Sequence, residues 1–265
     1  EEGITSEASS LAGTQQLDNL TVIWDDNQIS IEDDTAIAFS ENPVERYKAY
    51  GWHTIEVALG EHGAVDVPAL AAALDEARNT KGKPTFIRLR TIIGWPAPTK
   101  KNTYKAHGAD LGEDEIRAVK EILGFDPDQS FEVADDVLAH ARKVKDRGEA
   151  LKAEWQKGFD AWRQANPDRA ALLDRIQSGE LPEIELPDFP AGQSVATRKA
   201  SSMVIQSIAA ALPEFVGGSA DLAESNLTTI EGAPSFLPES IFVKKDSPFA
   251  GPHSPYGRVL HFGVR

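Results

Sequence analysis

The chain has 265 residues, 41% of them hydrophobic, and a formal net charge of −15. This length suffices for one large core or two domains, and the absence of cysteine excludes disulfides, thiolate metal sites and a cysteine nucleophile. The negative charge opposes binding to a phosphate backbone, so we expect no nucleic acid partner. No apolar run approaches the roughly 20 residues that span a bilayer, and the start of the sequence lacks the basic and apolar regions of a signal peptide, so we expect a soluble protein without a membrane partner. The absence of cysteine is compatible with a reducing compartment, so we expect a cytoplasmic location.

Helices and strands alternate through the first half of the sequence. The patterns predict, in order, a helix over Thr5 to Leu17 with a Ser or Thr cap, a buried strand over Leu20 to Trp24, a helix in "NPVERYKAYG", a strand in "WHTIEVAL", a helix capped by Asp in "DVPALAAALDEARNTKGKP" and a strand in "TFIRLRTIIG". Strands that alternate with helices of this length indicate βαβ units and a parallel sheet.

The second half begins with a change of character. A helix over Glu113 to Gly124 is followed, past Phe131, by long charged helices up to about Gly179. A proline-rich linker (181–193), a helix (195–212), a short strand in "FVGG" and a polar turn in "SADLAESNLTT" come next. We therefore predict an α/β protein with two sheet-containing domains, 1–125 and 194–265, joined by a helical segment and linker at 126–193.

Oxygen-bearing side chains crowd the stretch "WDDNQISIEDD", Trp24 to Asp34. The simplest interpretation is a turn, because Asp and Asn bond their own backbone. However, ligands of open parallel sheets bind at the carboxyl ends of strands. Asp25, Asp26 and Asn27 follow one strand in this way, as do residues 94–98 and 218–221 after two others, which favours a ligand site at these ends.

Several segments in order resemble the transketolase family of thiamine diphosphate enzymes. They are "EEGITSEASSLAG", "DDNQISI", "RYKAYGWH", "TIIGWPAP", "AHGADLG", "ATRKASS", "GGSADLAESNLTT" and "LHFGVR". The resemblance covers most of the chain and implies the thiamine diphosphate-binding fold, with two parallel-sheet three-layer domains joined by a helical linker. It also implies that the first domain binds the diphosphate, the second binds the aminopyrimidine, and the site lies between the subunits of a homodimer.

The resemblance implies a divalent cation, Mg²⁺ or Ca²⁺, that tethers the cofactor diphosphate. Its ligands in this sequence would be Asn27 and the backbone carbonyl of Ile29. A further Asp of a Gly-Asp-Gly motif would precede Glu1, since "EEG" with Gly3 resembles the tail of that motif, so we expect weak metal binding by this chain alone. Ile31 would face the thiazolium ring, and the alternative interpretation as an ordinary core isoleucine is compatible with that role.

Other site residues of the first domain follow from the same resemblance. Glu2 and Glu7 match interface glutamates that link two active sites, although they also suit acids at a helix start. His107 matches a catalytic histidine near the diphosphate and the sugar, where an imidazole can donate to a phosphate oxygen or a developing alkoxide. Its alternative is a polar loop residue. We expect His53 to be structural.

In the second domain, Arg198 and Ser225 match the pair that holds the phosphate of the sugar substrate. The guanidinium donates two parallel bonds to phosphate, and the alternative is a surface salt bridge at a helix start. Asp221 matches a carboxylate close to the thiazolium, with a helix cap as its alternative. Residues 242–255 fit the family poorly.

The implied reaction moves a two-carbon ketol unit from a ketose phosphate (xylulose 5-phosphate) to an aldose phosphate (ribose 5-phosphate or erythrose 4-phosphate) in the pentose phosphate pathway. In the family "FGVR" leads into a glutamate that bonds the aminopyrimidine, and the sequence stops before it, so we expect a nearly inactive fragment. The alternatives are a synthase or dehydrogenase with the same cofactor, and a noncatalytic dimerisation or regulatory module.

Overall fold

The computed structural model describes residues 3–249 and 251–264. Its helices are α1 Thr5–Thr14, α2 Pro43–Ala49, α3 Val67–Asn79, α4 Glu113–Leu123, α5 Asp135–Ala165, α6 Pro167–Ser178, α7 Thr197–Ala211 and α8 Ala223–Asn226. Its strands are β1 Thr21–Asp26, β2 Ile29–Ser30, β3 Asp33–Asp34, β4 His53–Val57, β5 Thr85–Arg90, β6 Gly217–Ser219, β7 Ser235–Phe236, β8 His253–Ser254 and β9 Val259–His261. The predicted α/β class is confirmed.

The first sheet has the strand order β1-β5-β4, and both pairs are parallel. Its central strand β5 places Phe86 and Ile87 on opposite faces, and both side chains are buried. Each face has its own core, because Phe86 packs with Val44 and Trp52 whereas Ile87 packs with Ala73. Parallel sheets are typically buried on both faces. Because the three strands run in the same direction, their carboxyl ends lie at one edge of the sheet.

An aromatic cluster fastens α1 and α2 to the first sheet. Tyr47 stacks on Phe86 with ring centroids 3.8 Å apart and meets Trp52 edge-on at 5.0 Å. The indole of Trp52 donates to the Ser9 carbonyl at 2.8 Å. Gly13 allows the close approach, since a Cβ there would lie 1.9 Å from the Tyr50 carbonyl oxygen. The segment that enters β1 is therefore rigidly placed.

The helix boundaries test the predicted caps. Asp66 accepts the Ala69 N–H at 2.9 Å, which confirms the predicted cap of α3. Gly124 ends α4 in the left-handed conformation at φ 78°, as expected for a helix stop. The predicted Ser or Thr cap of α1 is wrong, because Ile4 occupies the cap position and no side chain bonds there. This helix also ends at Thr14 rather than Leu17.

Two charged helices separate the sheets. No residue of α5 is buried, but near its C-terminus Trp155, Phe159 and Trp162 stack at 4.8 and 5.7 Å. Arg163 pairs with Asp174 of α6 at 2.6 Å. Residues 181–193 contain neither helix nor strand. Within the described ranges, no helix is long and apolar enough to cross a bilayer.

The second sheet has the strand order β6-β9-β7-β8 and is also parallel. Ala209, Ile230 and Val259 form its core. Arg258 donates to the Ala209, Leu212 and Phe215 carbonyls at 2.9 to 3.0 Å, which ties the end of α7 to the sheet. The short strand predicted in "FVGG" is confirmed as β6.

Candidate functional site

The first sheet carries acidic side chains at its carboxyl edge, and they belong to the strand itself. β1 continues through Asp25 and Asp26, which pair in register with Leu89 and Arg90 of β5. The prediction that this strand ends at Trp24 is therefore wrong. The expectation that it is buried holds only in part, since Ile23 is 45% exposed.

Asp26 is engaged by the sheet. Its buried carboxylate accepts from Nε of Arg88 at 2.7 Å and pairs with Nη2 at 2.7 Å, while Nη1 of Arg88 reaches Glu56 of β4 at 2.9 Å. Burial lowers the pKa of Arg88, but the hydrogen bonds to both acids outweigh it and raise the pKa overall. Three strands are thus linked by one guanidinium, and Asp26 is a structural acid.

The loop after β1 is held in the same way. Arg90 donates to the carbonyls of Asp26 and Thr91 and to Oε1 of Gln28, the last at 2.6 Å. The hydroxyl of Thr91 donates to Asp25. These contacts engage the side chains of Asp25 and Arg90. Asn27, the residue after Asp26, instead carries a neutral amide oxygen.

Asn27 begins a tight turn. Gln28 adopts a left-handed conformation at φ 62°, and Oδ1 of Asn27 accepts the Ile29 N–H at 2.9 Å. The plain-turn interpretation is therefore correct for the backbone. An amide oxygen has two lone pairs, so one remains for a ligand. The amide and carbonyl oxygens of Asn27 and Ile29 are hard donors of the kind Mg²⁺ and Ca²⁺ accept, and they fit part of such a shell.

Among residues 3–249 and 251–264, no group of three His, Asp or Glu side chains could hold a metal. Charged side chains of the described residues therefore do not complete the coordination shell begun by Asn27 and Ile29. Ile31, two residues past Ile29, lies in the short connection between β2 and β3. Its side chain is 73% exposed, so the core-isoleucine alternative is wrong. An exposed isoleucine beside oxygen donors is available to cover an apolar ligand group.

The loop that carries His107 folds back on the end of β5. The Asn102 N–H bonds the Ile93 carbonyl at 2.9 Å, and a Cβ at Gly94 would lie 2.8 Å from Cβ of Ala106. His107 follows a single 3₁₀ turn, Tyr104–Ala106, and is exposed. The structure thus brings the His107 loop against the turn at the carboxyl end of the central strand.

Glu115 in the first turn of α4 anchors this loop, and sequence reasoning missed it. Its carboxylate accepts from the Thr99 N–H at 2.7 Å, the Thr99 hydroxyl at 2.9 Å and the Lys100 N–H at 3.0 Å. These bonds, the Thr99 N–H above all, lower the pKa of Glu115 against the opposing effect of burial. Lys100 in turn donates Nζ to the Asp110 and Leu111 carbonyls at 2.9 and 2.7 Å.

The second sheet brings together Arg198 and Ser225. Nη1 of Arg198, in the first turn of α7, donates to the Ser225 carbonyl at 3.4 Å, and both residues are exposed. Among the described residues Arg198 forms no salt bridge, so that alternative is not observed. Asp221 is exposed at φ 62°, and Leu222 rather than Asp221 caps α8, so the cap alternative is wrong.

A cavity of about 240 Å³ opens beside these residues. Its walls include Asp221 and Ser225 together with His261 of β9 and Phe249. Sequence reasoning quoted "LHFGVR" as a motif without assigning His261 a role. The signal available was its place at the end of the last strand.

The other predicted residues that the structure describes do not line this cavity. Glu2 is outside the described residues. Gly3 is exposed at φ 66°, and Glu7 is exposed in the first turn of α1. His53 bonds Glu76 at 2.7 Å at the amino end of β4, opposite the candidate site, as expected for a structural histidine.

Comparison with known sequences assigns both parts of the chain to one family. Residues 1–182 match the family described as transketolase, thiamine diphosphate binding domain, and residues 193–265 match transketolase, pyrimidine binding domain. The chain is 52% identical to a transketolase of Mycobacterium tuberculosis and 42% identical to one of Scheffersomyces stipitis. Each match covers 100% of this chain but only 37% and 38% of the relative, so the chain spans little more than a third of their length.

Solved structures agree with this assignment. The transketolase of Pichia stipitis in complex with sedoheptulose-7-phosphate superposes with a TM-score of 0.88 at 41% identity, covering 100% of this chain and 38% of that one. The transketolase of Leishmania mexicana gives a TM-score of 0.85 at 38% identity, with coverage of 100% and 37%. The fold is therefore that of transketolases, and the chain belongs to the transketolase family.

Proposed function

We propose that the full-length protein is a transketolase that transfers a two-carbon ketol unit from a ketose phosphate to an aldose phosphate. The observation that carries this proposal is the 52% identity to a transketolase over the whole chain. The Pichia stipitis relatives were solved with sedoheptulose-7-phosphate, fructose-6-phosphate and xylulose-5-phosphate, which supports sugar phosphates as the substrates here. We infer the pentose phosphate pathway and a cytoplasmic location from the same likeness.

Asn27 and the Ile29 carbonyl would hold Mg²⁺ or Ca²⁺ together with the diphosphate of thiamine diphosphate. The left-handed Gln28 between them supports this assignment, because it turns the chain sharply at the end of β1. Gly3 would lie near the same group, and the exposed Ile31 would cover the thiazolium ring. When bound, this cofactor supplies the electron sink for breaking and forming the carbon–carbon bond.

His107 would hold a proton at the reacting oxygen or donate to a phosphate oxygen. Its exposure supports this role, because the imidazole is free to meet a ligand. The bonds of Glu115 to Thr99 and Lys100 support it further, since they fix the loop before any ligand arrives. A positioned imidazole contributes to catalysis without reorganisation at the moment of reaction.

Arg198 and Ser225 would bind the phosphate of the sugar, and Asp221 would face the cofactor. The proximity of Arg198 to Ser225 supports this, as does the position of Arg198 in the first turn of α7, where backbone N–H groups favour anions. A paired phosphate grip also favours a phosphorylated sugar over the substrates of synthase or dehydrogenase relatives.

We further propose the domain division 1–125, 126–193 and 194–265 and a homodimer in which Glu2 and Glu7 lie at the subunit interface. The exposure of Glu7 supports the interface role. A dimer also suits the two-sheet arrangement, because the candidate residues occur at the carboxyl edges of two separate sheets.

The test is an assay of the full-length protein with thiamine diphosphate, Mg²⁺, xylulose 5-phosphate and ribose 5-phosphate. We expect sedoheptulose 7-phosphate, detected by mass spectrometry, and no product when the cofactor is omitted. An absence of product from a folded, cofactor-loaded dimer would contradict the proposal and favour a noncatalytic module.

A further inference from the structure

The cavity at the second sheet combines groups that suit a polyhydroxylated ligand. Its lining residues include Ser219 and Ser225, which carry hydroxyls, the acids Asp221 and Glu224, and His261. The guanidinium of Arg198 contacts Ser225, so a cation adjoins the same space. Hydroxyl, carboxylate and imidazole groups exchange hydrogen bonds with sugar hydroxyls, while the adjoining cation suits a phosphate at one end.

His261 is fixed within this wall by two contacts. Its Nε2 lies 2.9 Å from the Ser235 hydroxyl, which belongs to the neighbouring strand β7 and is buried. The ring of Phe249 packs edge-on against the imidazole with centroids 4.5 Å apart. The side chain is thus held in one orientation, which is what a residue that positions a ligand needs.

These contacts occupy one ring nitrogen and leave the other, Nδ1. Burial lowers the pKa of His261, so the ring is neutral near pH 7. In a neutral imidazole one nitrogen donates and the other accepts, and the Ser235 hydroxyl can pair with either tautomer because it can both donate and accept. Nδ1 can therefore offer the ligand one hydrogen bond, as donor in one tautomer and as acceptor in the other.

We propose that His261 is a substrate-binding residue that positions a hydroxyl group of the sugar phosphate through Nδ1. This inference rests on the proposed transketolase function, which it deepens by adding a residue that orients the sugar. Loss of this contact should lower the apparent affinity for the sugar phosphate, because His261 would contact the bound substrate without taking part in bond breaking.

The experiment compares three replacements in the full-length enzyme loaded with thiamine diphosphate and Mg²⁺. His261→Leu removes both nitrogens, His261→Asn retains a polar atom near the place of Nδ1, and His261→Gln retains one near the place of Nε2. We expect His261→Leu and His261→Gln to raise KM for xylulose 5-phosphate about tenfold, with kcat within about threefold of wild type. In His261→Asn, KM should stay within about threefold of the wild-type value.

His53→Gln is the matched control, because His53 also bonds a neighbouring side chain but lies at the amino end of the other sheet. It should leave KM unchanged. An unchanged KM in His261→Leu would overturn the inference, as would rescue by Gln and not by Asn, since that pattern indicates that only the Ser235 contact matters. If His261→Leu does not fold, His261→Phe replaces it, because its ring can keep the packing against Phe249 without either nitrogen, and an unchanged KM in that variant would be equally contradictory.

The two proposals fail in different ways. Product formation by the wild type together with an unchanged KM in the variants refutes only the role of His261. A wild type that forms no product refutes the proposed function, and calorimetric titration with xylulose 5-phosphate then tests the cavity directly. Equal affinity of wild type and His261→Leu for that sugar phosphate would overturn the inference as well.

Discussion

The carboxyl edges of the two sheets differ in how their charged side chains are used. At the first edge Asp26, Arg88 and Glu56 neutralise one another across three strands. At the second edge Arg198 and Asp221 are exposed, and Arg198 contacts only a carbonyl oxygen at 3.4 Å among the described residues. The charged side chains at the first edge stabilise the fold, whereas those at the second edge remain accessible to a ligand.

This difference matches the two kinds of ligand site that we propose. The first edge is a scaffold that carries the proposed neutral donors, the Asn27 amide and the Ile29 carbonyl, in a fixed turn. Such donors suit a cation that arrives with its own counter-charge. The second edge presents an exposed guanidinium, which suits an anion such as a sugar phosphate.

The largest effect is expected from breaking the scaffold. Asp26→Ala leaves Arg88 part-buried without its principal partner, so we expect a loss of about 3 kcal/mol in the free energy of unfolding. Urea denaturation followed by circular dichroism measures it. Asp75→Ala, which removes an exposed pair with Arg78 at 3.3 Å, should cost less than about 1 kcal/mol. If Asp26→Ala and Asp75→Ala lowered the free energy of unfolding equally, the ion pairs of the first edge would stabilise the fold no more than an exposed ion pair does.

The second edge should instead respond in binding. Arg198→Leu in the full-length enzyme should raise KM for xylulose 5-phosphate roughly thirtyfold, because a charge-assisted hydrogen bond contributes about 2 kcal/mol. Urea denaturation should show little change in stability, since Arg198 is exposed. Arg198→Lys keeps the charge without the planar fork and should fall between. A large loss of stability with an unchanged KM would reverse the contrast between the edges.

The cap of helix α3 lies away from both edges, so its removal should change the stability of the protein without changing substrate binding. Asp66→Ala removes the acceptor of the Ala69 N–H at the start of α3, which should cost about 1 kcal/mol in the free energy of unfolding. The cap touches neither edge, so KM for the sugar phosphate should stay constant. Asp66→Asn, which can still accept, should restore most of the stability. A change in KM would mean that the two edges are less independent than proposed.

Local patterns predicted most of the fold. Helix α3 carries its start signal in Asp66 and the following proline, and α4 carries its stop signal in Gly124, so both were found from neighbouring residues. The alternation of strands and helices likewise indicated parallel pairing. The two helix boundaries depend on interactions over a few positions in sequence, and the parallel pairing follows from the order of the elements, which is why the sequence was enough.

The site depended on interactions that no local pattern contains. Asp26 lies 62 residues from Arg88, so the sequence could not show that this acid belongs to the scaffold while its neighbour Asn27 does not. Ile31 looked equally suited to a core, but it lies between the two-residue strands β2 and β3 and is 73% exposed. His261 gains a partner from β7, 26 residues away, and without that contact it is one histidine among six.

Glu115 was missed because three consecutive acids begin α4, and nothing local distinguishes the one that turns toward Thr99. Its bonds tie the His107 loop to the first edge, so they extend the scaffold to a candidate catalytic residue. The smallest predicted effect is a local one: protonation of Glu115 should loosen this loop without unfolding the sheet.

The direction of the pH dependence follows from the pKa. Because the folded-state pKa of Glu115 lies below its ordinary 4.5, the carboxylate contributes its full stability above pH 4.5 and loses it as pH falls through the folded value. Hydrogen exchange of the Thr99 and Lys100 amides, corrected for intrinsic rates, should therefore show protection at pH 6 that declines toward pH 3. In Glu115→Gln the side chain does not titrate, so that decline should disappear.

The Asn226 amide is the internal control, because it bonds the Leu222 carbonyl at 2.9 Å and no carboxylate. Its protection should stay constant through the same window, since a backbone carbonyl does not titrate. If Asn226 lost protection in parallel with Thr99, acid would be loosening both edges together, and the contrast between a charge-paired scaffold and an open binding edge would fail. Loss confined to Thr99 and Lys100 would instead place the His107 loop within the scaffold of the first edge.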